Sequence, residues 1–389
     1  MQANFSSMIA NPSGYATRLV TLLQPFAVID EQNDCDILSL SLDSRCVTSG
    51  CLFFAYPGTC HDSRQWLDQV IKANVAAVCI EANDDFPPNR VQRINNTVVV
   101  SMVGVTEKMS AISSRFYGDP SHQLSLLGVT GTNGKSTVCW IIGQALTALR
   151  QKKCCGVIGT LGVGFADAVQ PGQTMTTPNP IALQGYLAQF RDIGAEMVAM
   201  EVSSHALSQY RTDGVLFDCA ILTQIGEDHI DQYHGTKEAY VAAKKRLFSR
   251  PGLHSMVLNL DDSVGQAMAC EWVGKKQVYG YSLHPVSQGQ IHWVSCHSAQ
   301  CHSEGQRILV LSSEGVLVTV ETQLMGRFNV SNVLAALAGL WAMGIDLSSA
   351  AQALSSPMAV PGRMERLGGK DQPTVIVDYA HTDEALAAV

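Results

Sequence analysis

The sequence lacks long hydrophobic runs. No stretch of about 18 consecutive apolar residues occurs in its 389 positions. The first residues, Met1 to Asn11, also lack the basic stretch and apolar core of a secretory signal. These absences exclude a readable membrane span and a readable signal peptide. We therefore expect a cytoplasmic chain with no membrane partner.

Charge is also scarce, and basic charge most of all. Charged residues make up 15% of the chain, and 26 Lys and Arg stand against 34 Asp and Glu, a formal net charge of −8. Nucleic-acid binding needs a concentrated basic face, so we expect no nucleic-acid partner. No low-complexity tract is present, and 46% hydrophobic residues are usual for a globular protein. The length suggests two or three domains.

Cysteine occurs 12 times but never as a C-x-x-C pair, and we interpret these cysteines as reduced thiols. The segment SCHSAQCHSEG holds two Cys–His pairs, at Cys296, His297, Cys301 and His302. These pairs lack the loop-separated spacing of a zinc site. The pattern favours a polar hairpin or an insertion over a metal centre.

Short apolar runs alternate with helical patterns along the first hundred residues. The runs Leu52–Tyr56, Val75–Ile80 and Thr97–Val100 predict strands, and Ser63–Ala73 predicts a helix. This alternation is typical of a small α/β domain.

A second α/β region begins with a strand, a glycine-rich loop and a helix. Leu124–Val129 predicts a buried strand, GTNGKST follows it, and Val138–Leu149 predicts an apolar helix. Further strands are predicted at Cys155–Thr160, Met197–Val202 and Cys219–Gln224. Because open α/β sheets bind ligands at the carboxyl ends of their strands, we expect one crevice there. The fold class is therefore α/β with a central, mostly parallel sheet.

The glycine-rich loop carries the residues that phosphate binding requires. Its glycines, from Gly128 to Gly134, let backbone N–H groups approach a phosphate, and Lys135 supplies a cation. A Ser136 or Thr137 hydroxyl can bind Mg²⁺. The spacing is shorter than that of the usual G-x-x-x-x-G-K-[ST] pattern, yet the strand before and the helix after favour ATP binding.

Two residues beyond the loop are candidates for the same crevice. Glu201 ends one predicted strand, and His229 follows another between Asp228 and Asp231. Carboxylate and imidazole groups near a triphosphate suggest one or two Mg²⁺ ions. For Lys244, in YVAAKKRLF, the residues alone predict a solvated lysine.

Taken together, these and other motifs resemble the Mur ligases. The resemblance is carried by GVTGTNGKST, SLDSR, TTPNP, EVSSHAL, EDHIDQYHG, FNVSN, PGRME and DYAHTDEAL, in this order except that SLDSR comes first. It is strongest to the member that adds the third amino acid of the peptidoglycan stem peptide. It implies a cytoplasmic, monomeric enzyme of peptidoglycan and cell-wall synthesis that forms an amide bond with ATP.

The resemblance implies that the chain adds meso-diaminopimelate to UDP-MurNAc-L-Ala-D-Glu through an acyl phosphate. L-lysine as the added amino acid remains an alternative. A folylpolyglutamate-type ligase shares the phosphate loop but does not account for SLDSR, EVSSHAL and DYAHT. A non-catalytic chain that binds nucleotide or UDP-muramoyl peptide is a further alternative.

The resemblance also implies roles for individual residues. Ser136 and Glu201 would hold a first Mg²⁺, and His229 with a carbamylated Lys244 a second; with Lys135 these form the catalytic set. The nucleotide contacts would come from Gly131, Thr132, Asn133, Gly134, Lys135, Ser136, Thr137, Asn329, Asn332, Arg363, Asp378, Tyr379 and His381. The UDP-muramoyl-dipeptide contacts would come from Leu42, Ser44, Thr176, Thr177, Ser203, Gln209 and Arg211.

The same resemblance predicts a domain division. Residues 1–102 would form a UDP-substrate domain, residues 103–362 a P-loop-type ATPase domain, and residues 363–389 the start of a third, Rossmann-like domain. The amino-acid-selecting motif of the family falls beyond Val389. We therefore expect this chain to bind nucleotide but to ligate poorly.

Overall fold

A computed structural model describes residues 14–59, 61–170, 175–226, 233, 235–287, 289–355, 360–369, 372–381 and 386–387. The described chain forms two compact units. The first comprises the described residues of Met1–Gln123, Pro178–Asp192 and Ser208–Val215, and the second those of Leu124–Thr177, Ile193–Leu207 and Leu216–Val389. Over these residues, no helix is long and apolar enough to cross a bilayer.

The first unit is built on a five-stranded sheet of order β3-β4-β5-β7-β6, in which only β6 is antiparallel to its neighbour. The strands of this unit are β1 (Thr17–Arg18), β2 (Asp36–Ile37), β3 (Ser39–Ser41), β4 (Cys51–Ala55), β5 (Ala77–Glu81), β6 (Arg90–Ile94) and β7 (Thr97–Met102). Its helices are α1 (Leu19–Leu23), α2 (Leu67–Lys72), α3 (Val105–Phe116) and α5 (Pro180–Asp192), with 3-10 turns at Ser63–Trp66 and Pro120–His122.

Alternating side chains of this sheet pack into two cores. In β4, Leu52 and Phe54 lie in the core that includes α1, α3 and α5, whereas Phe53 and Ala55 lie in the core that includes α2. This division follows from the period of two along a strand. Because both faces are covered, the strands β4, β5 and β7 are mostly apolar, as the sequence pattern indicated.

The second unit is built on an eleven-stranded sheet of order β11-β10-β9-β12-β8-β13-β14-β15-β16-β17-β18. The strands from β9 to β16 in this order are parallel. Their bounds are β8 Ser125–Thr130, β9 Cys155–Gly159, β10 Gly162–Phe165, β11 Ala168–Gln170, β12 Met197–Glu201, β13 Cys219–Leu222, β14 Ser255–Asn259, β15 Gln277–Ser282, β16 His292–His302, β17 Gly305–Ser312 and β18 Leu317–Thr322. The expected α/β class with a mostly parallel central sheet is confirmed.

Helices and one separate hairpin complete the second unit. The helices are α4 (Lys135–Arg150), α6 (Ser204–Ser208), α7 (Lys237–Lys245), α8 (Ser263–Trp272), α9 (Arg327–Ala342) and α10 (Leu347–Leu354). The core joins α4, α9 and α10 to the sheet through side chains such as Ile141, Ile221 and Leu337. Strands β19 (Glu365–Gly369) and β20 (Gln372–Val377) pair antiparallel.

The cysteine and histidine cluster lies in a hairpin formed by β16 and β17. Cys296 and His302 both lie in β16, which pairs antiparallel with β17, with a register shift between Cys296 and Ser298. Within the described parts of the chain, no group of three or more His, Cys, Asp and Glu side chains could hold a metal ion. The prediction of a hairpin in this segment is confirmed by the pairing of β16 with β17.

Candidate active site

The phosphate loop connects β8 to α4, at the centre of the parallel sheet. Strand β8 is buried from Leu126 to Thr130, and α4 begins at Lys135. Gly134 caps α4 with a φ of 86° and provides no side-chain cap. A glycine loop that leads into a helix N-terminus is a phosphate-binding arrangement, because backbone N–H groups and the helix dipole both favour an anion.

The loop needs glycine at two positions for lack of space. A Cβ on Gly131 would lie 1.8 Å from Thr223 Oγ1, and one on Gly134 would lie 2.5 Å from Asn332 Oδ1. The φ of Gly131 is 147°, a value that other residues rarely adopt. The motif's glycines therefore serve close approach as well as backbone freedom.

Two lysines donate to the same carbonyl of this loop. Lys135 Nζ donates to the carbonyl oxygens of Gly131 at 3.0 Å and Thr132 at 2.9 Å. Lys244 Nζ also donates to the Gly131 carbonyl, at 2.9 Å, and lies 4.4 Å from the centre of the Tyr240 ring. The loop is thus surrounded by the positive charge that a polyphosphate requires.

Lys244 is not solvated, in contrast to the interpretation based on residues alone. Its exposed fraction is 2%, and the buried side chains of α7 are Tyr240, Ala243 and Lys244. Positions i, i+3 and i+4 share one helix face, so this lysine belongs to the buried side of an amphipathic helix. Lys245, one position on, is the partly exposed neighbour that pairs with Glu271.

A cavity of about 370 Å³ adjoins the phosphate loop. Eight residues predicted for nucleotide contacts line it: Asn133, Gly134, Thr137, Asn332, Arg363, Asp378, Tyr379 and His381. Arg363 also donates to Ser136 Oγ at 3.4 Å and stacks 4.6 Å from the Tyr379 ring centre. The cavity therefore joins the phosphate loop to the segment after β20.

Asn329 and Asp378, two of the predicted nucleotide contacts, make hydrogen bonds to other residues of the chain. Asn329 donates through Nδ2 to the Met325 carbonyl at 2.7 Å and accepts from Asn332 Nδ2 at 2.8 Å. It is not among the residues that line the cavity. Asp378 accepts backbone N–H groups of Met364 at 2.8 Å and Ala380 at 2.7 Å. These bonds fix the path of the chain beside the cavity.

Sequence reasoning missed the cavity wall formed by the ends of β13, β14 and β15. The residues concerned are Thr223, Gln224, Asn259, Asp261, Asp262, Tyr281 and Leu283, with Phe328 and Ser331 from α9. Polar residues directly after apolar strands were the available signal. The rule that ligands bind at the carboxyl ends of parallel strands applies to all three strands.

Glu201 lies at the carboxyl end of β12, which pairs directly with β8. Its exposed fraction is 2%, Oε1 accepts the Thr160 amide at 2.7 Å, and Oε2 lies 3.3 Å from Thr160 Oγ1. A Cβ on Gly159 would lie 2.1 Å from Oε1, so this glycine makes room for the carboxylate. The carboxylate is thus held beside the strand that leads into the phosphate loop.

Three predicted substrate contacts gather around Glu201. Thr176 Oγ1 accepts from Thr160 Oγ1 at 3.1 Å, and Thr177 Oγ1 donates to the Glu201 carbonyl at 2.9 Å. The Ser203 amide donates to Thr177 Oγ1 at 3.0 Å. Hydroxyl groups and one carboxylate therefore form a continuous polar cluster in the second unit. His229 lies outside the described residues.

The other four predicted substrate contacts belong to the first unit. Leu42 packs against its core, and Ser44 is half-buried. Arg211 Nε donates to Gln209 Oε1 at 3.0 Å. Burial lowers the pKa of Arg211, because the charged guanidinium is withdrawn from water. An anionic ligand would compensate this cost.

Comparisons with known proteins agree with these observations. Residues 129–340 match the Mur ligase middle domain. The chain is 43% identical, over 91% of its length and 70% of the relative's, to the UDP-N-acetylmuramoyl-L-alanyl-D-glutamate--2,6-diaminopimelate ligase of Ectopseudomonas mendocina. A solved structure of a ligase of the same name superposes with a TM-score of 0.75 and 29% identity, covering 90% of this chain and 68% of that one.

A more distant likeness concerns the fold alone. Folylpolyglutamate synthase from Mycobacterium tuberculosis, solved with ADP and AMPPCP, superposes with a TM-score of 0.58 and 20% identity. The match covers 73% of this chain and 69% of that one. The alternative of a folylpolyglutamate-type ligase thus has a similar architecture but a much lower sequence identity.

Proposed function

Because the chain belongs to the Mur ligase family, we propose that it is an ATP-dependent amide ligase of peptidoglycan precursor synthesis. It joins meso-diaminopimelate to the D-glutamyl side-chain carboxylate of UDP-MurNAc-L-Ala-D-Glu. The observation that carries this proposal is the arrangement of the phosphate loop and Glu201 at the ends of the paired strands β8 and β12. This arrangement supports a polyphosphate site next to the buried side chain of Glu201.

The proposed reaction has two steps. A carboxylate oxygen of the substrate attacks the γ-phosphorus of ATP, and the bond between that phosphorus and the ADP oxygen breaks, which leaves an acyl phosphate. The amine then attacks the acyl carbon, loses a proton and displaces inorganic phosphate. Phosphoryl transfer between anions depends on positioning and charge neutralisation, which Lys135 and the N-terminus of α4 supply.

Nucleotide binding in this proposal uses the loop from Gly131 to Thr137 and the cavity beside it. Arg363 supports the polyphosphate end, since its guanidinium already contacts Ser136. The proposal retains Asn332, Tyr379 and His381 as contacts. Asn329 then acts by holding Asn332, to which it is hydrogen-bonded.

The residues present suit a magnesium ion. Ser136 and Glu201 offer oxygen donors, which Mg²⁺ prefers, and Glu201 is buried as a carboxylate beside the loop. Bound Mg²⁺ neutralises negative charge on the phosphates. His229 stays a proposed ligand of a second ion.

Lys244 can be a ligand of that second ion only if its amine is carbamylated. In the structure its ammonium donates to the Gly131 carbonyl, and an ammonium cannot bind a cation. Attack of the neutral amine on CO₂ would form an N–C bond, break one C=O π bond and release a proton from the nitrogen, and the resulting carbamate would offer oxygen ligands. The burial of Lys244 beside the loop supports this proposal.

The contacts proposed for the UDP-muramoyl dipeptide are those that the family resemblance implies. Leu42 and Ser44 contact its uridine end, and Gln209 and Arg211 contact its muramoyl-dipeptide part. Thr176, Thr177 and Ser203 contribute hydroxyl groups near Glu201. The domain division at residues 102 and 362 also stays a prediction. The names of the relatives favour diaminopimelate over L-lysine as the added amino acid.

The test is product formation by the 389-residue chain. It is incubated with MgATP, UDP-MurNAc-L-Ala-D-Glu and either meso-diaminopimelate or L-lysine, and the tripeptide nucleotide is measured by mass spectrometry. We expect slow formation of product with diaminopimelate. Binding of both ATP and UDP-MurNAc-dipeptide without any product would favour the non-catalytic alternative, and binding of neither would contradict the proposal.

A further inference from the structure

A threonine after β13 contacts the phosphate loop from the side of the neighbouring strand. Thr223 is buried, and its Oγ1 donates to the Asn133 carbonyl at 2.6 Å. Its backbone amide donates to the Thr130 carbonyl at 2.9 Å. One residue therefore holds the loop on both sides of Gly131, at Thr130 before it and at Asn133 after it.

The side chain of Thr223 occupies the space beside Gly131 and Gly134 of the loop. A Cβ on Gly131 would lie 1.8 Å from Thr223 Oγ1, and one on Gly134 would lie 3.5 Å from Thr223 Cγ2. The hydroxyl and the methyl group of Thr223 thus each contact a different glycine. The path of the loop depends on the position of this side chain.

Thr223 is itself fixed from two further strands. Its carbonyl oxygen accepts from Asn259 Nδ2, at the end of β14, at 2.7 Å. It also accepts from the Tyr281 hydroxyl, in β15, at 2.9 Å. Both partners are buried. The hydroxyl that reaches the loop is therefore presented by a rigid edge of the parallel sheet.

We propose that Thr223 is a positioning residue that fixes the phosphate loop for a nucleoside polyphosphate. In one trans peptide unit the C=O and the following N–H point in opposite directions. The bond to the Asn133 carbonyl therefore directs the N–H of Gly134 away from Thr223. Asn133, Gly134 and Thr223 all line the cavity. This inference rests on the proposed nucleotide-binding function.

The experiment compares variants of Thr223 in the whole chain. T223V removes the hydroxyl and keeps the shape, whereas T223S keeps the hydroxyl. T97V is the matched control, because Thr97 is also buried and donates to a backbone carbonyl, that of Val75, at 2.8 Å in the first unit. Isothermal titration calorimetry with MgADP, competition by adenosine, and thermal unfolding without nucleotide are measured for each.

We expect T223V to weaken MgADP binding about tenfold, the effect of losing one well-placed hydrogen bond that the loop needs. Adenosine affinity should stay unchanged, because adenosine does not use the loop. T223S and T97V should stay within about twofold of the original chain. If T223V does not fold, T223A is compared with T223S in the same way.

Three results would overturn the inference. MgADP binding by T223V equal to that of the original chain would show that the hydroxyl does not position the loop. Equal losses for MgADP and adenosine would show general damage instead. Failure of the original chain to bind MgADP would remove the proposed function as well.

Discussion

Lys135 and Lys244 donate to one carbonyl oxygen, that of Gly131, although they come from different helices. The sequence identified Lys135 from its motif. It could not identify the burial of Lys244, because Lys245 and Arg246 beside it give the segment the appearance of a charged surface. Which lysine faces inward depends on how α7 packs, and three adjacent basic residues leave that open.

Replacement of Lys244 tests its burial. We expect K244A to lower the free energy of unfolding by about 1–3 kcal/mol, since it removes a buried donor and the packing of its aliphatic stem. K245A, whose side chain is 39% exposed, should change it by less than about 0.5 kcal/mol. Urea denaturation of both variants measures the difference. Equal effects of K244A and K245A would contradict the burial of Lys244.

Replacement of Glu201 tests the proposed magnesium site. E201Q removes the charge but keeps an oxygen that can accept the Thr160 amide. We expect ADP affinity in Mg²⁺ to fall about tenfold or more, and affinity in EDTA to stay unchanged. The control is E196Q, at an exposed carboxylate just before β12. The site is contradicted if E201Q and E196Q bind MgADP equally well.

At the scale of elements, apolar periodicity located the helices but not where they begin. Helix α4 begins at Lys135 instead of the predicted Val138, and the predicted helix Ser63–Ala73 starts with a 3-10 turn at Ser63–Trp66 before α2 begins at Leu67. The first turn of α4 is polar, and its Thr137 lines the cavity, so the apolar pattern of this helix starts one turn late. Lys135, Ser136 and Thr137, three of the proposed nucleotide contacts, lie in this first turn.

In helix α4, replacement of a glycine by alanine should have the opposite of its usual effect on stability. An alanine inside a helix usually stabilises it by about 1 kcal/mol relative to glycine. At Gly143, however, a Cβ would lie 2.6 Å from Val157 Cγ2 in β9. We therefore expect G143A to destabilise the protein by about 1–3 kcal/mol in urea denaturation. G185A in α5, where the nearest atom is 3.5 Å away, should be neutral or stabilising. A stabilised G143A would contradict this packing.

At the scale of the whole molecule, buried thiols predict a loss of stability in alkali. Burial raises the pKa of Cys79, in the first unit, and of Cys155, in the second, to about 12 from an ordinary value of 9.0. A raised pKa means that the unfolded chain releases the proton first. These buried thiols therefore leave the free energy of unfolding unchanged below the ordinary pKa of 9.0, and they decrease it as the pH rises from there towards about 12.

Variants of single cysteines measure this dependence. Between pH 9.5 and 11 each such thiol should contribute a decrease of up to about 1.4 kcal/mol per pH unit in the free energy of unfolding. We expect C79A to have a shallower decrease than the original chain under reducing conditions, and C46A, at an exposed cysteine, to match the original. Equal slopes for C79A and the original chain would contradict the prediction.

The central claim is that the loop from Gly131 to Thr137 binds the polyphosphate of ATP. Calorimetric titration of the chain with Mg²⁺ and a non-hydrolysable ATP analogue tests it most directly, with K135A as the comparison. The predicted result is one bound analogue per chain and an affinity that falls about tenfold or more in K135A, which loses the cation of the loop. No binding, or equal binding by K135A, would contradict the claim.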